Sequence, residues 1–275
     1  MTSGHLKTHL RRIDRSRYPE VQAYSWDEIY SDHLAPGGLY LAAQMTRSMN
    51  LKESNIVLDL GCGKAGSSIF LAKHFGVNVF SVDLWISSTE LNQKVSERGL
   101  RHRIMPLRLD VTRGLPFAED YFDAIFCMQA FHSFGGSVAF LRHLLTHLKP
   151  GGRLCVGGTC FNEETPGNDL PEIYHKTNGW DAEYSKYHSS EWWRALFIKS
   201  GWVDVIECYE LEDGQIMWED EVLFTGERAK WSDAYYQQGK WLIDQILHGR
   251  ENRPYLTHFI ATVEKKRKIQ DKIIM

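Results

Sequence analysis

Three acids, Asp59, Asp83 and Asp110, stand at spacings that could hold one ligand by three of its groups. Asp59 lies in Val57-Leu58-Asp59-Leu60-Gly61-Cys62-Gly63-Lys64-Ala65-Gly66, an apolar run that ends in a glycine turn. Gly61 and Gly63 lack the Cβ that would keep a ligand away from the backbone. A G-x-G-x-x-G pattern also serves the pyrophosphate of dinucleotides. Asp59 separates the two uses, because a carboxylate two residues before the first glycine repels a pyrophosphate and attracts an ammonium group. Asp83 follows 24 positions later. It is placed to accept both hydroxyls of a ribose, with Leu84 and Trp85 beside it to cover one face of a purine. Asp110, followed by Val111, can accept from an exocyclic amine. Amine, ribose and purine are matched in turn.

Such acids converge only if each ends a strand of one sheet. Short apolar runs predict strands over 56–58, 78–82, 104–109, 122–128 and 153–157, with helices over 67–74, 87–98 and 137–148 between them. Lys149-Pro150-Gly151-Gly152 reads as the turn before the fifth strand. Strand and helix in alternation imply a parallel sheet covered on both faces. Upstream, a helix within 26–50 is entered through Ala35-Pro36-Gly37-Gly38. Downstream, a polar aromatic stretch precedes a helix over 191–199, capped by Ser189 or Ser190 and ended at Gly201. Strands over 202–209 and 255–263 follow, with a helical insertion over 228–248 between them.

Composition sets the frame. The chain has 275 residues, 43% of them hydrophobic and 24% charged, enough apolar side chain for a sizeable core. A formal charge of −3 opposes the basic footprint of a nucleic-acid binder, so no nucleic-acid partner is expected. The basic amino-terminal segment is read as a short solvated one. The cysteines, five in number and without a C-x-x-C pair, indicate a reduced chain with no structural metal. No run reaches the roughly 18 apolar residues of a membrane span, and the basic start has no apolar leader core. The expectation is a soluble, cytoplasmic protein without a membrane partner. Monomer and homodimer both stay open.

At DLGCGKAG, SVDL, LRLDV, LPFAEDYFDAIFCMQAFH and LKPGG, across residues 50 to 160, the chain resembles the class I S-adenosylmethionine-dependent methyltransferases. APGGLYLAAQM is similar to the entry helix of the phosphoethanolamine and sarcosine-type small-molecule enzymes among them. The resemblance implies an α/β, Rossmann-like sheet of seven strands, mostly parallel, with helices on both faces and an antiparallel carboxyl-terminal hairpin. Within one domain, residues 1–50 would be an entry segment, 51–160 the cofactor-binding core, and 161–275 the rest of the sheet with insertions over the substrate. S-Adenosylmethionine would be the cofactor and S-adenosylhomocysteine the product. Gly61, Cys62 and Gly63 would surround the methionine part, Asp83 the ribose, and Leu84 or Trp85 the adenine, which Asp110 and Val111 would read. Gln129 and the Pro36-Gly37 turn would lie near the methionine end.

The remaining residues concern the acceptor. Beyond residue 160 stand seven of the nine tryptophans, and residues 200–227 hold nine acids and no Lys or Arg. Rings beside carboxylates suit a cationic amine. Trp180, Tyr184 and Tyr187 follow the fifth strand, where substrate loops lie. His132, just after the fourth strand, is placed to act as a general base at neutral pH. The phosphoethanolamine enzymes carry a functional His in this segment partnered by an amino-terminal Tyr, a role that falls on Tyr18. The stretch 183–187 lacks the Arg that a phosphobase would need by resemblance. The expected activity is methyl transfer to a small molecule, at an amine nitrogen. The alternatives are O- or C-methylation of a metabolite, methylation of RNA or protein, and a non-catalytic cofactor-binding module.

Overall fold

The structure, a computed structural model, describes residues 7, 10–33, 35–164, 186–247 and 255–267, with the backbone alone over 241–247. Seven strands form one sheet: β1 (Ile56–Leu60), β2 (Asn78–Asp83), β3 (Ile104–Arg108), β4 (Phe122–Met128), β5 (Leu148–Phe161), β6 (Val203–Glu210) and β7 (Leu256–Lys265). Their order is β3-β2-β1-β4-β5-β7-β6. The first five pair in parallel, whereas β7 runs antiparallel to both β5 and β6. The chain reverses its direction of travel across the sheet between β3 and β4, so β1 and β4 lie side by side at the switch point where open α/β sheets bind ligands.

Neighbouring residues of one strand feed opposite layers, which is the two-residue period of a sheet buried on both faces. Ala124, Phe126 and Met128 enter one core with Val57, Val79 and Ile260. Ile125 and Cys127 enter the other with Leu58, Leu154 and Phe259. The first core packs against α1 (Gly38–Thr46), α2 (Gly66–Phe75) and α3 (Ser88–Glu97). The second packs against α4 (Val138–Thr146) and α5 (Ser190–Ser200). Ser189 caps α5 through the Trp192 N–H, and Gly201 ends it at φ +73°.

Two expectations about local structure are corrected. The Lys149-Pro150-Gly151-Gly152 turn lies inside β5: Phe122 pairs with Leu148 and Ala124 with Arg153, so the strand begins early and bulges around the turn. The helical insertion begins at Gly214 rather than near 228, and it comprises α6 (Gly214–Arg228) and α7 (Asp233–Leu247).

The acidic stretch is therefore strand and helix, and arginines from the other end of the chain hold part of it. Arg11 pairs with Glu219 at 2.6 Å, Arg12 with Asp220 at 3.1 Å and Arg17 with Asp213 at 2.6 Å. The arginines stay partly exposed while the three acids are buried. The basic amino-terminal segment is thus spent on its own chain. Among the described residues, no helix is long and apolar enough to cross a membrane, and no cluster of His, Cys, Asp and Glu could hold a metal ion.

Candidate active site

The carboxyl ends of β1, β2 and β4 open on one cavity of about 310 Å³, at the lower end of the ~300–1,000 Å³ of small-molecule sites. Its floor is the glycine turn. Gly61 takes φ +73°, and a Cβ there would stand 2.3 Å from that of Ala130, which packs on the turn from the end of β4. Only glycine leaves the two loops this close. The N–H groups of Gly61 and Cys62 donate to the Val82 carbonyl at 2.8 and 3.0 Å, binding the turn to β2.

Asp83 ends β2 and is buried. Its Oδ2 accepts the Gly63 N–H at 2.9 Å, while Oδ1 accepts those of Trp85 and Ile86 at 2.8 and 3.0 Å. Those bonds turn the chain so that Leu84 and Trp85 line the cavity with 45% and 74% of their surfaces exposed, a large apolar rim. Asp110, Val111 and Thr112 form the opposite wall. Asp110 caps the turn, its Oδ1 accepting the Thr112 N–H at 3.1 Å and hydroxyl at 2.6 Å.

Asp59 does not line the cavity. It lies beneath the turn, 1% exposed, with Oδ2 accepting the hydroxyls of Ser67 and Ser68 at 2.6 and 2.5 Å. Oδ1 is buried with no partner. Burial pushes its pKa up to about 6 against the pull of the two hydroxyls. Its spacing suggests direct contact with an ammonium group; in the structure Asp59 reaches the cavity only through Ser67, which lines it.

The Pro36-Gly37 turn is likewise one step removed. Ala35 lines the cavity, while the Pro36 carbonyl accepts the Gln129 Nε2–H at 2.7 Å. Gln129 Oε1 accepts the Thr159 N–H at 2.9 Å. Gln129 is therefore a strut between the entry turn and β5, and it also lines the cavity.

The expected pairing of Tyr18 with His132 is not formed. Tyr18 is fully buried, its hydroxyl donating to Asp213 at 2.8 Å and its ring 5.0 Å from that of Tyr40. Burial and Asp213 hold its proton firmly, raising the pKa. His132 sits in a 3-10 turn, Phe131–Phe134, that directs Ser133 and Phe134 into the cavity and leaves the imidazole 4.9 Å from the Tyr187 ring, edge to face. Trp180 and Tyr184 lie outside the described residues. Cys62 lines the cavity, but burial drives its thiol pKa far up, so it is no nucleophile.

Sequence reasoning missed His33, Ser133 and Phe134, all lining the cavity. The His33 ring stands against the start of α2, 2.6 Å from where a Gly66 Cβ would be, which accounts for glycine there. Burial and the nearby Lys94 and Lys64 push the His33 pKa down to about 3, so it is neutral. No local pattern marks it, because a lone His before a turn carries no period.

Residues 57–152 match the methyltransferase-domain family. Phosphoethanolamine N-methyltransferase 1 of Arabidopsis thaliana is 26% identical over 199 residues, covering 71% of this chain and 38% of that one. The chain spans about two fifths of the length of the curated phosphoethanolamine relatives it matches. Phosphoethanolamine N-methyltransferase 2 of Haemonchus contortus, solved with S-adenosyl-L-methionine, superposes with a TM-score of 0.69 at 17% identity, over 92% of this chain and 59% of that one. Geranyl diphosphate C-methyltransferase of Streptomyces coelicolor A3(2) gives 0.62 at 14% identity, over 91% and 97%. The domain match takes in the glycine turn and the strand ends that wall the cavity, and over residues 57–152 the chain resembles the class I S-adenosylmethionine-dependent methyltransferases.

Proposed function

We propose that the protein binds S-adenosylmethionine in this cavity and transfers its methyl group to the amine nitrogen of a small molecule. One observation carries the reading: the glycine turn, the Asp83 loop and the Asp110 turn wall a single cavity. The cofactor fits the residues present. Gly61 leaves a cradle that a Cβ would fill, and the unpartnered Oδ1 of Asp59 favours positive charge beneath it. The exposed Leu84 and Trp85 offer an apolar cover for a purine. A pyrophosphate would meet Asp59 and Asp83 across the same turn.

When bound, the cofactor supplies an electrophilic methyl carbon on a sulfonium. The protein's own work is alignment and exclusion of water, and effective molarity can contribute roughly 7–11 kcal/mol. Asp83 fixes the turn and the apolar rim, while Gln129 ties the entry turn to the sheet. His132, with Tyr187 against its ring, is the group we assign to accept the proton of the incoming amine.

Relatives support this reading: several carry phosphoethanolamine N-methyltransferase names, although a geranyl diphosphate C-methyltransferase shares the fold. The deciding experiment is calorimetry of the purified protein with S-adenosylmethionine, S-adenosylhomocysteine and NAD, followed by radiolabel transfer to amines, phenols and carboxylates. Binding of NAD in place of the sulfonium cofactor overturns the proposal, as does labelling of RNA or protein but no small molecule.

A further inference from the structure

Ser67 brings the start of α2 to the cavity wall, and no side chain caps that helix. The Gly66, Ser67 and Ser68 N–H groups precede the first intrahelical bond, from the Ile69 N–H to the Ala65 carbonyl, so the helix itself cannot use them. Such a helix start attracts an anion. Two side chains reinforce it. The His33 ring lines the cavity and lies on Gly66, with Cε1 and Nε2 both 2.6 Å from where a Cβ would be. Lys64, in the glycine turn, is half-buried, and its Nζ meets only the Ser31 carbonyl at 3.4 Å, with no acidic partner among the described residues. Together with Lys94 it adds to the burial that depresses the His33 pKa, which places its charge close to the ring.

A neutral imidazole donates through one nitrogen and accepts through the other. Nε2 of His33 is buried at the helix start without a partner, and the positive end of α2 favours a lone pair there. The proton then stands on Nδ1, and no described group accepts it. Asp32 holds the ring in place: its carboxylate pairs with Lys94 and Arg98 at 2.7 and 3.1 Å, and its carbonyl also stands 2.6 Å from the Gly66 Cβ position. An unused N–H, an unbalanced ammonium and an uncapped helix start share one chemistry: each favours an oxyanion. The next residue along α2 has the opposite preference, because the Ser67 hydroxyl is bonded to the buried Asp59 carboxyl, whose Oδ1 has no partner. Sites of opposite sign one residue apart suit an α-amino acid group, whose ammonium and carboxylate share one carbon.

We infer that His33 donates its Nδ1–H to the carboxylate of the cofactor's methionine group, beside Lys64 and the start of α2, an inference that rests on the S-adenosylmethionine reading above. It makes His33 a specificity-determining residue, one that tells the carboxylated cofactor from molecules that share only its adenosine and ammonium groups. An uncharged donor suits the place. It directs the carboxylate without adding a positive charge next to a sulfonium in the same cavity, which an Arg or Lys at position 33 would do.

The test is a cycle between the residue and the ligand group it would hold. Calorimetry of the full-length protein measures S-adenosylhomocysteine and its decarboxylated analogue, which keeps the ammonium. Three proteins are compared: the wild type, His33→Phe, which keeps a ring on Gly66 but has no N–H, and His33→Asn, whose amide offers an N–H in place of the imidazole's. The wild type should prefer S-adenosylhomocysteine at least tenfold, the scale of a hydrogen bond to a charged group. His33→Phe should weaken S-adenosylhomocysteine about tenfold or more and the analogue less than twofold. Retained affinity for the analogue also shows that the variant is folded. His33→Asn should recover part of the loss, and Lys64→Gln should lower the preference by a smaller factor that shrinks as salt is raised. Equal weakening of both ligands in His33→Phe and His33→Asn shows a ring that only packs on the turn, and overturns the inference; an unchanged preference in both overturns it too. Failure of the wild-type protein to bind S-adenosylhomocysteine at all removes the methyltransferase reading itself.

Discussion

The Oδ2 of Asp83 accepts the Gly63 N–H at 2.9 Å, so the acid that ends β2 also fixes the glycine turn that follows β1. The same carboxylate holds the Trp85 and Ile86 N–H groups through Oδ1. One side chain therefore shapes both the floor of the cavity and its apolar rim, besides any bond it offers to a ligand. Bonds to an ionised acceptor are each worth about 1.5–3 kcal/mol.

Loss of Asp83 should accordingly be felt first in cofactor affinity. Asp83→Ala is expected to raise the Kd for S-adenosylhomocysteine by about 10- to 100-fold, and Asp83→Asn, which keeps one acceptor, by less. Isothermal calorimetry reads both. An alanine variant that is folded and binds as tightly as the wild type contradicts the assignment.

The closeness of Gly61 to Ala130 gives a test by compensation. A Cβ on Gly61 would meet that of Ala130 at 2.3 Å, and the backbone there is at φ +73°. Gly61→Ala should cost about 1–3 kcal/mol through overpacking and more through the backbone. Adding Ala130→Gly removes the steric part but not the conformational part. The double variant should therefore recover some but not all of the lost Tm in thermal unfolding. Full recovery would mean that the positive φ costs nothing, and no recovery would mean that the contact is not the cause.

The parallel half of the sheet was legible in the sequence because its signals are local. An apolar run such as Phe122–Met128 is buried on both faces and needs no partner to be recognised. Asp83 and Asp110 were legible for the same reason, since each follows directly on its strand. What escaped depends on contacts between distant parts of the chain. The acids at 213, 219 and 220 belong to a stretch whose composition suits a cationic amine, but Arg17, Arg11 and Arg12, about 200 residues away, neutralise them. Tyr18 is placed in the chemistry by resemblance, whereas its hydroxyl is engaged by Asp213 in the core; Gln129, placed the same way, does line the cavity, and only its second role as a brace between the entry turn and β5 depends on distant contacts. His132 shares a 3-10 turn with residues that do line the cavity, and which way a turn directs each side chain is not encoded in spacing.

Tyr18 and His132 should consequently part company in kinetics. Tyr18→Phe removes a hydroxyl that donates to Asp213, leaving Arg17 to hold that acid. Stability should fall by about 0.5–1.5 kcal/mol in urea unfolding, with kcat within twofold of wild type. His132→Ala should lower kcat by about 10²- to 10⁴-fold, the range of general-base catalysis, with cofactor affinity retained. A large loss of kcat in a stable Tyr18→Phe would restore the tyrosine to the chemistry.

The last prediction follows from Asp59, whose pKa burial raises from the ordinary 3.8 to about 6. Between those values the folded chain holds a proton that the unfolded chain has released. Stability must therefore fall as pH rises through that window, with the deficit absent below about 3.8 and complete above about 6. At about 1.4 kcal/mol per pKa unit the deficit is about 3 kcal/mol. Asp59→Asn cannot titrate. Whatever it costs through its own hydrogen bonds, the unfolding free energy of the variant relative to wild type should shift by about 2.5 kcal/mol in its favour between about pH 4 and pH 7.5. Titration of Glu221, near 7, is common to both proteins and cancels in the difference. Urea unfolding at the two pH values measures it, and a difference independent of pH would show that the buried Asp59 carboxyl keeps an ordinary pKa.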